Sequence, residues 1–229
     1  MNNGNCSNCK AYNKSAFGNC EVSFITKNIS DHNISLTFQK GQDIYLENSL
    51  VKGVFCLKKG KVKVYKTCDG RCLTIGLATD GDLLGFTSLF DGGKYINSAR
   101  CLEDSVICFI PEKNFKKLLS INTDLLLELL KRSSVENYRL SNIISSLKCK
   151  NTLGRVAITL SDIAEKFGTD ENGFFTLTLT RRDISEMSGT TTESAIRILN
   201  DLKKENVISF QNNRIKILDS VKLRKYHSN

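Results

Sequence analysis

Cysteine has the most reactive chemistry of the residues in this 229-residue chain, which contains nine cysteines and only two histidines. In a reducing compartment cysteines are free thiols or metal ligands rather than disulfides, and an odd number fits that interpretation. With only His32 and His227 available, a histidine base or a histidine-based zinc site has few residues to draw on. The composition therefore favours the chemistry of thiols and of metals bound by thiolates.

Side chains that could hydrogen-bond to nucleobases lie near the C-terminus, in a segment whose apolar residues follow a helical period. The apolar face consists of Ala195, Ile198, Leu199 and Leu202. The residues left on the opposite face, near the start of the helix, are Thr192, Glu193, Ile196 and Arg197. Arginine bonds guanine O6 and N7 with two hydrogen bonds, glutamate accepts from cytosine N4, and an aliphatic side chain packs on the thymine methyl. The pattern predicts a helix that reads base pairs; the alternative is a solvated i,i+4 ion pair between Glu193 and Arg197, worth about 0.2–0.5 kcal/mol.

The residues around this helix predict the other parts of a winged helix-turn-helix. A short helix around residues 182–188 precedes it and ends at Gly189, which permits a turn that a side chain at positive φ would strain. The second helix is predicted to begin at Thr191 or Thr192, whose hydroxyl caps it or holds a phosphate. A hairpin at Asn212-Asn213 follows, which completes the motif. The residues predicted to contact phosphates, and so to set register rather than sequence preference, are Thr180, Arg181 and Arg182.

Elements earlier in the chain must position this motif, and their apolar periods differ from one another. From about residue 33 to residue 111, apolar and polar residues alternate and glycines recur about every ten residues, as in an antiparallel sandwich or barrel. Residues 54–57 and 61–66 are predicted to pair as a hairpin around Lys59-Gly60. Further along, residues 153–167 are predicted to be helical and residues 174–179 to form a short strand.

A long amphipathic helix is predicted between the sheet and the DNA-binding motif. It follows Pro111, the only proline, and carries apolar residues mostly three or four apart from Leu125 to Leu147. A helix of about 25 residues is about 37 Å long, which is more than the predicted barrel can cover. We therefore expect part of the apolar stripe to meet a second copy of the chain; alternatively, the stripe packs on the chain's own sheet.

Composition limits the class of protein. A hydrophobic fraction of 40% with 25% charged residues is enough for a folded core, and the net charge of +9 favours an anionic partner such as nucleic acid. No apolar stretch approaches the roughly 18 residues that a membrane span needs, and the polar N-terminus lacks the apolar region of a secretory signal. We therefore expect a cytoplasmic protein that does not bind a membrane.

A family resemblance rests on three segments of the sequence. Residues 179–199 read LTRRDISEMSGTTTESAIRIL, residues 38–44 read FQKGQDI, and residues 57–65 read LKKGKVKVY. Together they resemble the CRP/FNR family of bacterial transcription regulators. The resemblance implies an α+β fold with four parts: an N-terminal cysteine-containing arm at 1–22, an antiparallel β-roll like a cyclic nucleotide-binding jelly roll at 23–111, a long dimerisation helix at 112–150, and a winged helix-turn-helix at 151–229.

The same resemblance implies a function. It predicts a homodimer, not an enzyme, that binds a two-fold symmetric site in double-stranded promoter DNA and contacts RNA polymerase. The positions of Glu193 and Arg197 are among the family's base-reading residues. Ile196 stands where FNR itself has serine, so we expect the preferred half-site to differ from that of FNR.

The residue at one position of the roll bears on whether the roll could bind a cyclic nucleotide. In the cyclic-nucleotide branch of the family, a Gly-Glu pair and an Arg-Ser pair about ten residues later bind the phosphate. The matching residues here are Gly81-Asp82 and Asn97-Ser98. Because Asn97 supplies no cation, a buried phosphodiester would keep an uncompensated charge, and we expect the chain not to bind a cyclic nucleotide.

The other branch of the family holds an oxygen-labile iron–sulfur cluster on cysteines. The resemblance implies one 4Fe–4S cluster per subunit, with thiolates from Cys6, Cys9, Cys20 and Cys108. Cys6 and Cys9 have the expected spacing, whereas ten residues separate Cys9 from Cys20, where FNR has a short gap. Cys20 and Cys108 could equally be core residues.

The sequence is also compatible with other functions. The N-terminal cysteines could be free thiols or bind zinc. The chain could be a regulator of the same family without a cluster, responding to another small effector or constitutively active. An electron carrier or metal-dependent enzyme would leave the winged helix without a role. The cysteines interpreted as structural are Cys56, Cys68, Cys72, Cys101 and Cys149.

Overall fold

The computed structural model describes residues 9–18, 20–21, 25 and 34–228 of the chain. These residues form two compact units: the first lies within 1–65 and 76–138, and the second consists of 66–75 and the described part of 139–229. Within the described residues, every helix is too short or too polar to cross a membrane.

The predicted β-roll is present between residues 34 and 111. In this described stretch, eight strands form two four-stranded sheets, in the orders β1-β8-β3-β6 and β2-β7-β4-β5. The strands are β1 Ile34–Phe38, β2 Asp43–Tyr45, β3 Gly53–Lys59, β4 Val62–Cys68, β5 Arg71–Ala78, β6 Leu83–Leu84, β7 Ser98–Cys101 and β8 Ser105–Pro111. Pairing of β8 with β1 and β3, and of β7 with β2 and β4, is antiparallel.

The predicted hairpin around Lys59-Gly60 is wrong. β3 and β4 are consecutive along the chain but belong to different sheets. Gly60 has a φ of +130°, and a Cβ at this position would overlap the Ser105 side chain. A glycine between two alternating segments marks a turn in either case, so the local sequence does not distinguish a hairpin from a crossover between sheets.

Two helices follow the roll. Helix α1, Glu112–Ile121, begins directly after Pro111 and buries Phe115 and Leu118. Helix α2, Thr123–Cys149, is the predicted long helix, with 27 residues. Between them, Asn122 is extended, with a φ of −139°, and its Oδ1 accepts from the Leu125 backbone N–H at 2.8 Å. The region 112–150 therefore contains a short helix in addition to the long one, because Asn122 ends α1 and caps α2.

Most of the apolar residues of α2 are exposed in the single chain. The fully or nearly buried ones are Leu125 and Leu129. The exposed ones are Leu126, Leu127, Leu130, Val135, Tyr138, Ile144 and Leu147. So many exposed apolar side chains along one helix are unusual for a monomer and are typical of an interaction surface.

The second unit contains the predicted winged helix-turn-helix. Its elements are α3 Thr152–Phe167, α4 Arg181–Ser188, α5 Thr192–Lys204, β9 Ile208–Gln211, β10 Arg214–Ile217 and α6 Ser220–Lys225. β9 and β10 are antiparallel and turn at Asn212 and Asn213, whose φ angles are +48° and +63°. These are the left-handed conformations that a two-residue hairpin turn requires and that asparagine tolerates, so the predicted hairpin is confirmed.

The predicted strand at 174–179 is wrong. The described backbone there makes only isolated bridges, such as the one between Phe174 and Lys216. The Phe175 carbonyl instead accepts from Arg214 Nη2 at 2.9 Å and Nε at 3.2 Å. The Phe175 N–H also donates to the Ile215 carbonyl of β10 at 2.8 Å, so one backbone hydrogen bond and one side chain join this segment to β10. The alternating pattern reflects burial of Phe175, Leu177 and Leu179.

Candidate nucleic-acid interface and cysteine segment

Helix α4 and the turn after it are fixed by local hydrogen bonds. Thr180 Oγ1 accepts from the Asp183 backbone N–H at 3.0 Å, and Asp183 Oδ2 accepts from the Thr180 backbone N–H at 3.0 Å. This reciprocal capping box starts the helix, and Gly189, at a φ of +61°, ends it. The turn has a third support that the sequence did not reveal: Arg155 Nε on α3 donates to the Ser188 carbonyl at 3.0 Å.

Helix α5 has the two faces that the sequence predicts. The Thr191 side chain accepts from the Ser194 backbone N–H at 3.2 Å and caps the helix. Ser185 Oγ and Thr192 Oγ1 are 3.2 Å apart, which joins α4 to α5. The buried residues are Ala195, Ile198, Leu199 and Leu202. The exposed residues near its start are Glu193, Ile196 and Arg197, with Thr192 half-buried beside them.

The two charged side chains on this face, Glu193 and Arg197, do not form an ion pair with each other in the part of the chain that the structure describes. Hydrogen bonds from its own backbone N–H and from Thr191 lower the pKa of Glu193. The solvated ion pair that the sequence left open is therefore not formed. Ile196 is 41% exposed between them, and the exposed face offers a cation, an anion and an aliphatic side chain.

The three residues predicted to contact phosphates have different surroundings. Thr180 is held in the capping box described above. Arg181 lies over the Phe210 ring of β9, 4.1 Å from its centre, and burial lowers the pKa of this guanidinium. Arg182 Nε donates to Glu186 Oε1 at 2.9 Å, yet the Arg182 side chain is 71% exposed. Of the two arginines, Arg182 has the more accessible charge.

Arg214 of β10 connects the hairpin to the segment that precedes α4. Arg214 Nη2 donates to Asp170 Oδ2 at 2.7 Å, and this hydrogen bond lowers the pKa of Asp170. The Arg214 guanidinium also lies 5.6 Å from the centre of the Phe174 ring. Arg214 is thus a structural residue of the hairpin, which its position next to the turn alone does not indicate.

The cysteine-containing segment is described from residue 9 onward, so Cys6 lies outside the described residues. Cys9 is half-buried, and Cys20 and Cys108 are buried. Asn122 Nδ2 donates to Cys20 Sγ at 3.6 Å, and burial raises the pKa of the Cys20 thiol despite this hydrogen bond. Among the described residues, no three of His, Cys, Asp and Glu stand together in a way that could hold a metal ion. The structure thus does not assemble Cys9, Cys20 and Cys108 into one site.

The segment is attached to the first half of α2. Tyr12, Ala16 and Phe17 are buried, and Arg132 Nη2 of α2 donates to the Lys14 carbonyl at 3.1 Å. Arg132 also contacts Glu128 Oε1 at 2.8 Å and Asp82 Oδ1 at 3.6 Å. Sequence reasoning missed both Asn122 and Arg132, because nothing in their local pattern indicates a contact with residues more than 100 positions away.

The place of the missing phosphate-binding arginine is filled by neutral groups. Asn97 is 8% exposed, and its Oδ1 accepts from Tyr45 Oη at 3.2 Å. The Tyr45 ring stacks on the Tyr95 ring, with 4.2 Å between their centres, and burial raises the pKa of Tyr45. Phe55 adds a third ring, 5.6 Å from Tyr45. Asn97, Tyr45, Tyr95 and Phe55 are all uncharged, so none of them supplies the cation that the arginine provides in the cyclic-nucleotide branch.

Comparison with known proteins agrees with this architecture. Residues 35–122 match the cyclic nucleotide-binding domain, and residues 154–226 match the Crp-like helix-turn-helix domain. The chain is 30% identical over 186 residues to electron transport regulator A of Shewanella oneidensis, covering 79% of this chain and 73% of that protein. It is 29% identical over 192 residues to the fumarate and nitrate reduction regulatory protein of Vibrio cholerae, covering 81% and 75%.

Among solved structures, FixK2 from Bradyrhizobium japonicum has the same fold. The TM-score is 0.74 at 22% identity, and the match covers 85% of this chain and 96% of that one. The fold is thus shared with FixK2, and the matched Crp-like domain and the two curated relatives are those of regulators rather than of enzymes. The chain belongs to the CRP/FNR family of transcription regulators.

Proposed function

We propose that this chain is a homodimeric, sequence-specific regulator of transcription in which α5 reads the major groove of promoter DNA. The observation that carries the proposal is the exposed face of α5, where Glu193, Ile196 and Arg197 stand together without an ion pair between them. In this role Arg197 donates to guanine O6 and N7, Glu193 accepts from cytosine N4, and Ile196 packs on a thymine methyl. Thr191 and Thr192 lie at the start of α5, where hydroxyls and backbone N–H groups contact phosphates.

The phosphate contacts in this proposal come from the start of α4. Arg182 supplies the accessible cation, and Arg181, stacked on Phe210, joins α4 to the hairpin. Thr180 keeps the first turn in place through its cap. Such contacts set the register of the protein on DNA and make binding salt-dependent, while the α5 side chains supply the sequence preference.

The dimer in this proposal is formed by α2. Seven positions spaced alternately four and three residues apart run along the helix, and five of them are apolar: Leu126, Leu130, Leu140, Ile144 and Leu147. The two polar positions in the row are Ser133 and Asn137. This spacing is that of a two-stranded coiled-coil seam, which two copies of the helix would bury together. A symmetric pair then presents the same α5 side chains twice, as a two-fold symmetric site requires.

The test of this function is selection of duplex DNA from a random pool at fixed salt. We expect enrichment of a two-fold symmetric site with half-site centres about one helical turn, roughly 34 Å, apart. Ile196→Ser should change the preferred base at one position in each half-site and leave the symmetry intact, because only one side chain that faces the bases has changed. Enrichment of a single asymmetric half-site, or of no sequence, would contradict the proposal.

The same proposal includes an iron–sulfur sensor. Four thiols, on Cys6, Cys9, Cys20 and Cys108, are the donor set that a 4Fe–4S cluster takes. One of the two curated relatives named above is a fumarate and nitrate reduction regulatory protein. A bound cluster would supply a group that oxygen or nitric oxide can dismantle. Because the described residues do not gather three ligands, binding requires the cysteine segment to be held differently from the position seen here.

Two side chains, Asn122 and Arg132, connect the cysteine segment to the dimer helix α2 by hydrogen bonds. Asn122 donates to Cys20 with its Nδ2 and caps α2 with its Oδ1, so one amide contacts both the thiol and the helix start. Arg132, in the third turn of α2, donates to the Lys14 carbonyl. Withdrawal of Cys20 toward a metal would remove a hydrogen bond at the start of α2 and shift the balance between conformations of the dimer.

Metal analysis after oxygen-free purification tests the sensor. We expect about four iron and four acid-labile sulfide per chain, with broad visible absorption that oxygen removes. Cys9→Ala should lower iron and sulfide together, whereas Cys72→Ala, at an equally half-buried cysteine outside the set, should leave both unchanged. Iron-free protein that binds DNA equally well with and without oxygen would instead identify a family member without a cluster, and zinc in place of iron would also contradict the sensor.

A further inference from the structure

Two cysteines face each other across adjacent strands of the roll. In the antiparallel pairing of β3 with β8, Cys56 is directly opposite Cys108. Directly opposed residues lie on the same face of a sheet with Cα atoms about 4.5–5.5 Å apart. That separation lies inside the range of about 4.4–6.8 Å that disulfides span. Both side chains are thiols in this structure, and a bond between them would need no change of strand register.

The surroundings of the pair make one thiol accessible and protect the other. The next pair on the same face, Val54 and Ile110, is 0% and 1% exposed and belongs to the core. Cys108 is 9% exposed, between Ser35 of β1 and Cys56, while Cys56 is more exposed than Cys108. The pair therefore lies at the margin of the core, and Cys56 is the more accessible of the two thiols.

We propose that Cys56 and Cys108 form a redox-active dithiol that a peroxide converts to a cross-strand disulfide. The Cys56 thiolate attacks one peroxide oxygen, the O–O bond breaks, and a sulfenic acid forms on Cys56 with release of one water from hydrogen peroxide. The Cys108 sulfur then attacks the Cys56 sulfur, the S–S bond forms, and the hydroxyl leaves as a second water. The two thiols lose two electrons to the peroxide, and a dithiol reductant reverses the reaction by exchange.

The pair needs no cluster in order to react, but its consequence for regulation rests on the proposed function. If Cys108 is an iron ligand, the disulfide removes it from the ligand set until the bond is reduced. The oxidised chain would then stay unable to take up iron after the oxidant has gone. Disulfides of this kind in reducing compartments are transient and act as redox sensors rather than as structural staples.

The test uses full-length, iron-free protein, reduced and then treated with hydrogen peroxide, alkylated and digested without reduction. We expect a peptide pair linked through Cys56 and Cys108, with loss of both thiols from the free-thiol count and full recovery after dithiothreitol. Cys56→Ser and Cys56→Ala should abolish the linkage, whereas Cys72→Ser, at a strand cysteine of similar exposure, should retain it. Dominant linkages to other cysteines, or Cys56 oxidised to sulfinic acid while Cys108 is still alkylated, would overturn the proposal.

A second arm separates this proposal from the iron–sulfur proposal. Peroxide-treated protein is exchanged into oxygen-free buffer and offered iron and sulfide before and after dithiothreitol. If peroxide abolishes iron uptake, dithiothreitol restores it, and Cys56→Ser keeps it after peroxide, both the dithiol and the iron–sulfur site are supported. If the linked peptide forms and iron uptake is unchanged, the dithiol stands and Cys108 is not a ligand; if the linked peptide never forms, the dithiol fails whatever the iron content.

Discussion

Replacing Arg197 by alanine is expected to lower affinity for the selected DNA site by about 1–3 kcal/mol per half-site, or roughly 5- to 150-fold for each. The reason is that the exposed guanidinium on α5 is the group able to make two hydrogen bonds to one guanine. Because both subunits carry the change, we expect footprints on the symmetric site to be lost at concentrations that protect it fully with the unmodified protein. Binding is measured by fluorescence anisotropy on the selected site and on unrelated duplex, at one salt concentration.

Arg182→Ala provides the comparison, since it removes an equal charge from the same motif. Its side chain is 71% exposed at the start of α4 and is assigned to phosphate rather than to bases. We expect it to weaken binding to both duplexes alike and to reduce the salt slope by about one for each bound subunit, while Arg197→Ala removes mainly the preference for the selected site. Unchanged affinity and unchanged preference in Arg197→Ala would refute the assignment of α5 as the reading helix.

Replacing Ile144 by glutamate is expected to convert the dimer to single chains. Ile144 is 67% exposed on the described chain, so the change should leave the folded subunit intact. In a dimer, each subunit would lose the burial of an isoleucine and gain a buried carboxylate, a cost of at least about 2 kcal/mol per subunit. Sedimentation equilibrium should show the shift to monomer, and DNA affinity should fall with it, because a single subunit contacts one half-site.

Val135→Glu is the matched control for this prediction. Val135 is 63% exposed on the same helix but lies two positions from Ser133 and from Asn137, and therefore off the predicted seam. We expect this variant to remain dimeric and to bind the selected site normally. A dimer that survives Ile144→Glu, or one that is lost equally in Val135→Glu, would show that α2 does not pair through the proposed row of residues.

The local chemistry of the DNA-binding motif could be predicted without a structure. Thr180 and Thr191 cap helices, Gly189 takes the left-handed conformation, and Asn212-Asn213 turns the hairpin. Each of these features depends on hydrogen bonds or backbone angles within about four residues of sequence. The buried face of α5 follows equally from helical period, because one helix packs against its neighbours with one stripe.

Contacts between distant residues were decided by the tertiary structure alone. Consecutive strands β3 and β4 separate into two sheets, Arg181 stacks on Phe210, and Asn122 reaches Cys20 across 102 positions. The opposition of Cys56 and Cys108 arises in the same way, since period two gives each strand its faces but not its partner or its register. Periodicity and capping depend on residues that are close together in the chain, and they can therefore be predicted from the sequence. The contacts between distant surfaces depend on how the whole chain packs, so they can be known only from the tertiary structure.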